Sequence, residues 1–297
     1  VAINIEMIKE LRETTGAGVL AAKKALESSG GDFEQAVRQL REKGLVKAAK
    51  RAGRETAEGR VEARSEEGRV GLLIEINCET DFVGRNENFV AFAGGVADHF
   101  FACAQEEQPL AEVMALPFVK DSDTTPVELL QAQVSTTGEN MAVRRFVRYD
   151  LGDRPGVVEI YQHPGNRIAV MLELNSETPV GADKEAFAAL AHDLALHIAF
   201  AAPLYLTREE TPAEKMEAEK AIYRKRALEE GKPEAIVERI VEGRLKKFYQ
   251  DAVLLEQPFV KDDKSPVGKL IEQQAAALGE KATVRRFVRY ELGEKPD

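Results

Sequence analysis

Leu73-Ile74-Glu75-Ile76-Asn77-Cys78-Glu79-Thr80 leads into Asp81-Phe82-Val83, and the same pattern returns at Met171-Leu172-Glu173-Leu174-Asn175-Ser176-Glu177-Thr178. The apolar run from Val70 through Ile76 has the length and composition of a strand buried in a sheet. Asn, Thr and Asp then favour a turn, because their short polar side chains bond nearby backbone. Each copy therefore reads as a buried strand and its exit. Leu116-Pro117-Phe118-Val119-Lys120-Asp121 also returns, as Gln257-Pro258-Phe259-Val260-Lys261-Asp262, and Arg144-Arg145-Phe146-Val147-Arg148-Tyr149 returns unchanged as Arg285 to Tyr290. Between them, Pro126-Val127-Glu128-Leu129-Leu130 matches Pro266-Val267-Gly268-Lys269-Leu270. The period is too long and the copies too few for a solenoid, so one α+β subdomain has been duplicated, with halves at 55–150 and 151–297.

Around the first copy, Arg60-Val61-Glu62-Ala63-Arg64 alternates and Glu66-Glu67-Gly68 turns, which predicts an antiparallel hairpin with Val70–Ile76. Phe89, Val90, Phe92, Ala93, Val96, Ala97 and Phe100 give a broad helical face to cover the sheet. Period-two alternation puts Arg145, Val147 and Tyr149 on one face of their strand and Arg144, Phe146 and Arg148 on the other.

Ahead of the duplication, residues 1–54 read as a three-helix partner-binding unit. Ile5, Ile8 and Leu11 share a face before Thr14-Thr15-Gly16-Ala17-Gly18. A second helix runs from Val19 to Ser28-Ser29-Gly30-Gly31. Asp32 caps a third, with Phe33, Ala36, Val37 and Leu40 as its stripe and Gly44 as its end. A short Leu45–Lys50 segment and a polar linker from Ala52 to Gly59 follow.

The second half carries an insertion at 211–249. Pro212–Glu230 and Pro233–Phe248 are charged helical segments joined at Gly231-Lys232-Pro233, the pattern of a helical hairpin. Met216, Ala221, Ile222 and Leu228 on one arm and Ile236, Val237, Ile240 and Leu245 on the other give the expected seam of a protruding antiparallel coiled coil. A solvated arm, a docking arm and a dimer contact are all open readings of it.

The composition is 44% hydrophobic and 31% charged, with a net charge of -10. That balance argues against a general nucleic-acid coat, where a basic surplus supplies affinity. The charge is uneven: residues 1–54 hold eleven Lys and Arg against seven Asp and Glu. A basic head on an acidic body suits a partner-binding module. No apolar run approaches the roughly 18 residues of a membrane span. Val1–Glu6 lacks the basic and apolar regions of a signal peptide, so a soluble, reduced, cytoplasmic protein with Cys78 and Cys103 as buried free thiols is expected.

No catalytic pattern is present: no phosphate-cradling Gly-Lys-Ser/Thr loop, no cysteines at metal spacing, no Gly-x-Ser-x-Gly elbow. No cofactor or metal of the chain's own is expected, nor an enzyme. His192 and His197, five apart, read as packing residues, while His163 lies in an exposed Pro-Gly turn after Tyr161-Gln162. Arg144–Tyr149 mixes basic and aromatic residues, but its alternation is ordinary strand patterning and no nucleic acid is expected. Phe82 has two readings: a core side chain, with Asp81 capping a helix near Glu87, or an exposed wedge. The second copy has Pro179-Val180 where the first has Asp81-Phe82-Val83, and this asymmetry favours the wedge.

Leu11-Arg12-Glu13-Thr14-Thr15-Gly16-Ala17-Gly18 with Lys23-Lys24-Ala25-Leu26, then Asn77–Val83, Tyr161-Gln162-His163, and Glu242-Gly243-Arg244-Leu245-Lys246-Lys247-Phe248 together resemble the elongation factor Ts family. The resemblance implies an N-terminal ubiquitin-associated-like domain and a two-part core with a protruding coiled coil. It implies a guanine-nucleotide exchange factor for elongation factor Tu, with a homodimer of the complex left open. By position, Thr80, Asp81, Phe82 and Val83 would enter the partner's GTPase domain near its Mg²⁺ and phosphate loop. Arg12, Val19 and Leu20 would meet a helix of that domain, where the family often has Met at the last two. Gln162 and His163 would touch another domain, and Gly138 would lie close to the wedge.

Overall fold

The computed structural model describes residues 3–15, 17–51, 53–178 and 184–294. Gly16, Ala52 and the Pro179-Val180 contrast lie outside the described residues. Three helices open the chain: α1 (Ile5–Thr15), α2 (Val19–Ser28) and α3 (Phe33–Arg51). Leu11, Ala22, Ala25, Leu26, Ala36 and Val37 close a small core of their own. Asp32 caps α3, accepting from Gln35 N at 2.9 Å.

Gly44 does not end α3, and the Leu45–Lys50 segment belongs to the same helix, which continues to Arg51. A single glycine costs only about 1 kcal/mol inside a helix, and outside contacts offset it here. The end of α3 packs on α7 (Pro126–Thr137), where Arg51 Nη1 donates to Val134 O at 3.1 Å.

The first half then runs β1 (Glu58–Glu66), β2 (Val70–Cys78), α4 (Asp81–Gly84), α5 (Glu87–Cys103), α6 (Leu110–Met114), α7 and β3 (Met141–Asp150). The second runs β4 (Gly156–Gln162), β5 (Ile168–Ser176), α8 (Lys184–Ala201), α9 (Ala213–Glu229), α10 (Glu234–Ala252), the short β6 (Pro258–Phe259) and β7 (Asp262–Pro266), α11 (Val267–Ala277) and β8 (Ala282–Glu291). Each half is built on a three-stranded antiparallel sheet, β1-β2-β3 and β4-β5-β8. The class is α+β.

Alternation along the central strands sorts their side chains into two cores. Leu72, Ile74 and Ile76 of β2 pack under Phe89, Phe92, Val96 and Phe100 of α5. Val170, Leu172 and Leu174 of β5 pack in the same way under Phe187, Leu190 and Leu194 of α8. Leu73, Val61 and Tyr149 face the opposite way and meet Val158, Met171 and Tyr290, so the two sheets lie back to back over a shared core. Both copies enter the sheet on a glycine with no room for a side chain. A Cβ on Gly59 (φ +131°) would lie 2.1 Å from Ile76 O, and one on Gly156 (φ +143°) 2.4 Å from Leu174 O.

The expected alternation of Arg144 and Arg145 is broken by a β-bulge. Ile76 faces Val143 while Glu75 faces Arg145, which leaves Arg144 as the extra residue. Both arginines therefore reach the wholly buried Glu75 carboxylate, Arg145 at 2.7 Å and Arg144 at 3.3 Å. The second copy repeats the slip between Glu173 and Leu174, and Arg286 and Arg285 approach the buried Glu173 at 2.8 and 3.6 Å. The guanidinium of Arg145 lies 4.1 Å above the ring of Tyr290, and that of Arg286 lies 3.9 Å above the ring of Tyr149. These crossed contacts use the repeated motif to join one sheet to the other.

The insertion is a helical hairpin of α9 and α10, turning at Gly231 (φ +72°). Ala227, Val237 and Val241 are buried between the arms, with Tyr223, Ile240 and Leu245 beside them. Of the expected seam, Val237, Ile240 and Leu245 lie there, whereas Ala221, Ile222, Leu228 and Ile236 face outward. The reason is phase: the contact stripe steps through 223 and 227, so positions 222 and 228 sit about 100° off it. Among the described residues no helix is long and apolar enough to cross a membrane.

Candidate functional site

The end of β2 becomes the base of a projecting turn. Thr80 has extended backbone (φ -124°, ψ 153°) and caps the single turn α4, its hydroxyl accepting from Val83 N at 3.4 Å. Within that turn the side chains divide by environment. Val83 packs on the core under α5 and Gly84 is buried against Gly59. Phe82 is 83% exposed. Asp81 is partly exposed, with Arg85 at 3.3 Å. Asp81 does not cap the following helix. Asn86 does, accepting from Asn88 N at 2.9 Å, so the core reading of Phe82 falls and its side chain projects into solvent.

Residues distant in sequence hold this turn. α7 ends at Gly138 in the left-handed region (φ +80°), which redirects the chain toward Thr80. The Glu139 carboxylate then accepts twice from Thr80, from its backbone N at 3.1 Å and from its hydroxyl at 2.6 Å. Asn140 N donates to Glu79 Oε1 at 2.6 Å, and Arg54 Nη1 approaches the same carboxylate at 3.3 Å. The Asn140 amide and Arg54 hold the Glu79 carboxyl below its ordinary value. Asn140 Nδ2 closes the ring by donating to Arg54 O at 2.9 Å. Sequence reasoning placed Gly138 near the wedge but missed Glu139, Glu79 and Arg54. A signal existed: Gly138-Glu139 returns as Gly279-Glu280, and Thr178 Oγ1 donates to Glu280 in the second copy.

The remaining candidates come from two other places. Arg12 lies on α1 and is exposed; Val19 and Leu20 open α2 and are 51% and 83% exposed. Beside them a cleft of about 580 Å³ runs between Thr14, Ala17, Gly18 and Ala21 on one side and Val127, Leu129 and Ala132 on the other. Gln162 and His163 occupy the β4–β5 turn. His163 is exposed and its Nδ1 sits 2.9 Å from Tyr161 Oη. Gln162 is partly buried, and its side-chain amide donates to Val61 O at 2.7 Å across the β1 edge.

Other titratable groups are occupied structurally. His99 and His197 are buried, and in each Nδ1 accepts a backbone N–H, from Val119 at 3.3 Å and Val260 at 3.2 Å. Burial lowers the pKa of His197. His192 packs at the surface rather than in the core: its ring lies edge-on to Tyr161 and its Nδ1 meets Glu159 at 2.8 Å, because its position on α8 turns it toward β4 at the sheet margin. Cys78 and Cys103 are free, the first buried and the second only partly so. Burial, reinforced by Glu139, pushes the Cys78 thiol up to about 12. Among the described residues, no three His, Cys, Asp or Glu side chains converge to hold a metal ion.

Comparison with known proteins agrees along the whole chain. The sequence model of a family described as Elongation factor TS matches residues 79–294. Elongation factor Ts of Trichlorobacter lovleyi is 44% identical over 294 residues, covering 99% of this chain and 93% of the relative. Elongation factor Ts of Clostridium perfringens is 45% identical over 293 residues, with 98% and 93% covered. That of Symbiobacterium thermophilum is 45% identical over 293 residues, with 98% and 92% covered. Identity of this extent, spanning the helical head, both sheets and the hairpin, is not a local motif match, and the chain belongs to the elongation factor Ts family.

Proposed function

We propose that this chain is the guanine-nucleotide exchange factor for elongation factor Tu, and that Thr80, Asp81, Phe82 and Val83 form the wedge that loosens the partner's Mg²⁺ and GDP. Exposure of Phe82 on a turn held from three sides is the observation that carries this reading. A large apolar side chain held in water at the tip of a fixed turn gains by burial against a partner. Mg²⁺ demands near-ideal octahedral geometry, so a displacement of about an ångström in the loops around it weakens both metal and phosphate binding. No bond of the nucleotide need break.

Residues 1–54 serve as a partner-binding domain through Arg12, Val19 and Leu20, while the second half of the core contributes Gln162 and His163. The separation of these patches from α4 suits a factor that grips its partner at several points and inserts a wedge at one. Exchange requires that this chain and GDP weaken each other's binding, a reciprocal coupling of about 1–3 kcal/mol in ordinary allosteric systems. The chain must therefore bind the nucleotide-free partner more tightly than the GDP-bound one.

Release of a fluorescent GDP analogue from elongation factor Tu, followed by stopped flow, tests the reading. Acceleration at substoichiometric amounts, abolished in an Asp81→Ala, Phe82→Ala double variant, is the expected result. Binding without acceleration would instead make the chain a scaffold for the same partner.

A further inference from the structure

We propose that Glu139 is a positioning residue for nucleotide exchange: through its two bonds to Thr80 it sets the direction in which the α4 turn presents Asp81 and Phe82. This rests on the exchange-factor reading given above. The geometry is specific. One carboxylate takes both the backbone N–H and the hydroxyl of the residue that caps the turn. With its proton committed to Glu139, the Thr80 hydroxyl turns a lone pair toward Val83 N. The bonds therefore run in series from Glu139 through Thr80 to the backbone bearing Phe82. Hydrogen bonds to an ionised carboxylate are the shorter and stronger kind.

Glu139 itself is placed by the left-handed Gly138 before it and by the Asn140–Glu79 bond after it. Both ends of the lever are thus fixed. Arg54 ties the same node to the segment leaving α3, and Arg51 ties that helix to α7. A push on the N-terminal helices has a bonded route to the base of the wedge.

The second copy supplies an internal control. Thr178 and Glu280 make the corresponding bond, and Gly279 before Glu280 is also left-handed (φ +71°). That copy has no Asp-Phe after its Glu-Thr. Of the two bonds the second copy makes the hydroxyl one, and a purely structural lock would show as lost stability in either half. A positioning lock matters for exchange only in the first.

The test compares Glu139→Ala, Glu139→Gln and Glu280→Ala in the full-length chain. It uses stopped-flow GDP release from elongation factor Tu over a range of exchange-factor concentrations, with a thermal melt of each variant. In Glu139→Ala the maximal release rate is expected to fall by about tenfold or more, the scale of a lost charged hydrogen bond. The half-saturating concentration should change little, since the Arg12, Val19 and Leu20 patch and the His163 patch are untouched. Glu139→Gln, which keeps one acceptor, should recover part of the rate. Glu280→Ala should release GDP at the unmodified rate. A maximal rate in Glu139→Ala equal to the unmodified one, or an equal loss in Glu280→Ala, would overturn the proposal. If the unmodified chain itself gives no acceleration, the exchange-factor reading fails first, and that failure is visible before any variant is compared.

Discussion

At the scale of single residues, the same strand exit holds one side chain that water reaches and one that it does not. Phe82 contributes little to folding, so Phe82→Ala should leave stability within about 0.5 kcal/mol, the range of ordinary surface changes, while slowing GDP release; a chemical melt alongside stopped flow separates the two effects. Cys78, four residues earlier, is the opposite case. With its thiol pushed up to about 12, it should resist a maleimide or disulfide reagent at pH 8 and react only when denaturant opens the sheet; prompt labelling of the native chain at Cys78 would contradict the buried geometry. Glu79 gives a pH signature. Its carboxyl is held below the ordinary 4.5 by the Asn140 amide and Arg54, so its contribution to stability is fully present above that value and is lost as pH falls through the lowered one. Denaturant midpoints of the unmodified chain and Glu79→Gln should therefore differ at neutral pH and converge on acidification. Exposure of Phe82 was inferable only indirectly, from the missing aromatic in the second copy. The carboxylate that fixes its base was not, since Glu139 is 59 positions from Thr80 and nothing local in either segment announces their meeting.

At the scale of elements, the repeats made the strands legible, and their failures have identifiable causes. The apolar runs of β2 and β5 read as buried strands without saying which residues face the helices, whereas alternation assigned the two faces of Arg144–Tyr149. Alternation failed at Arg144 and Arg285 because a bulge adds a residue and resets the phase, and a bulge without Gly or Pro leaves no mark in the sequence. The hairpin was legible as two arms but not in its seam. Both arms are charged all round, so a few apolar residues suit two neighbouring stripes, and pairing between arms decides. Gly59 and Gly156 allow a sharper test. An added methyl would strike the carbonyl of the neighbouring strand, and the backbone angle is itself unfavourable for other residues, so Gly59→Ala should cost about 1–3 kcal/mol or more, read from urea midpoints. The hairpin has its own small core. Val241→Asp should open it and expose α9–α10 amides to hydrogen exchange while β2 and β5 keep their protection.

At the scale of the whole molecule, two copies of one subdomain are joined through their sheets rather than side by side. Glu75 and Glu173, each wholly buried, the first clamped by Arg144 and Arg145 and the second by Arg154, Arg285 and Arg286, sit within that junction. Removing the closer arginine leaves Glu75 with the longer Arg144 contact at 3.3 Å, so Arg145→Ala should destabilise by about 2–3 kcal/mol, less than the roughly 3–5 kcal/mol of a fully broken buried pair, and Arg145→Ala with Glu75→Gln should recover part of the loss. The duplication was legible in the sequence; the back-to-back arrangement was not, because nothing in either copy says which face meets the other. The arrangement also bears on how the chain is made. The first sheet is complete in the chain once Asp150 has been synthesised, but Tyr290, which its Arg145 must stack on, comes about 140 residues later. At about 5–20 residues per second a ribosome needs roughly 7–28 s to cover that distance. For that interval the β4–β5 hairpin, with Val158 and Met171, can already cover Val61 and Leu73, but the edge strand that brings Tyr290 and Arg286 is still missing. The nascent first half therefore waits with the Tyr149 and Arg145 end of its apolar face open and depends on the speed of the translation that its own family serves.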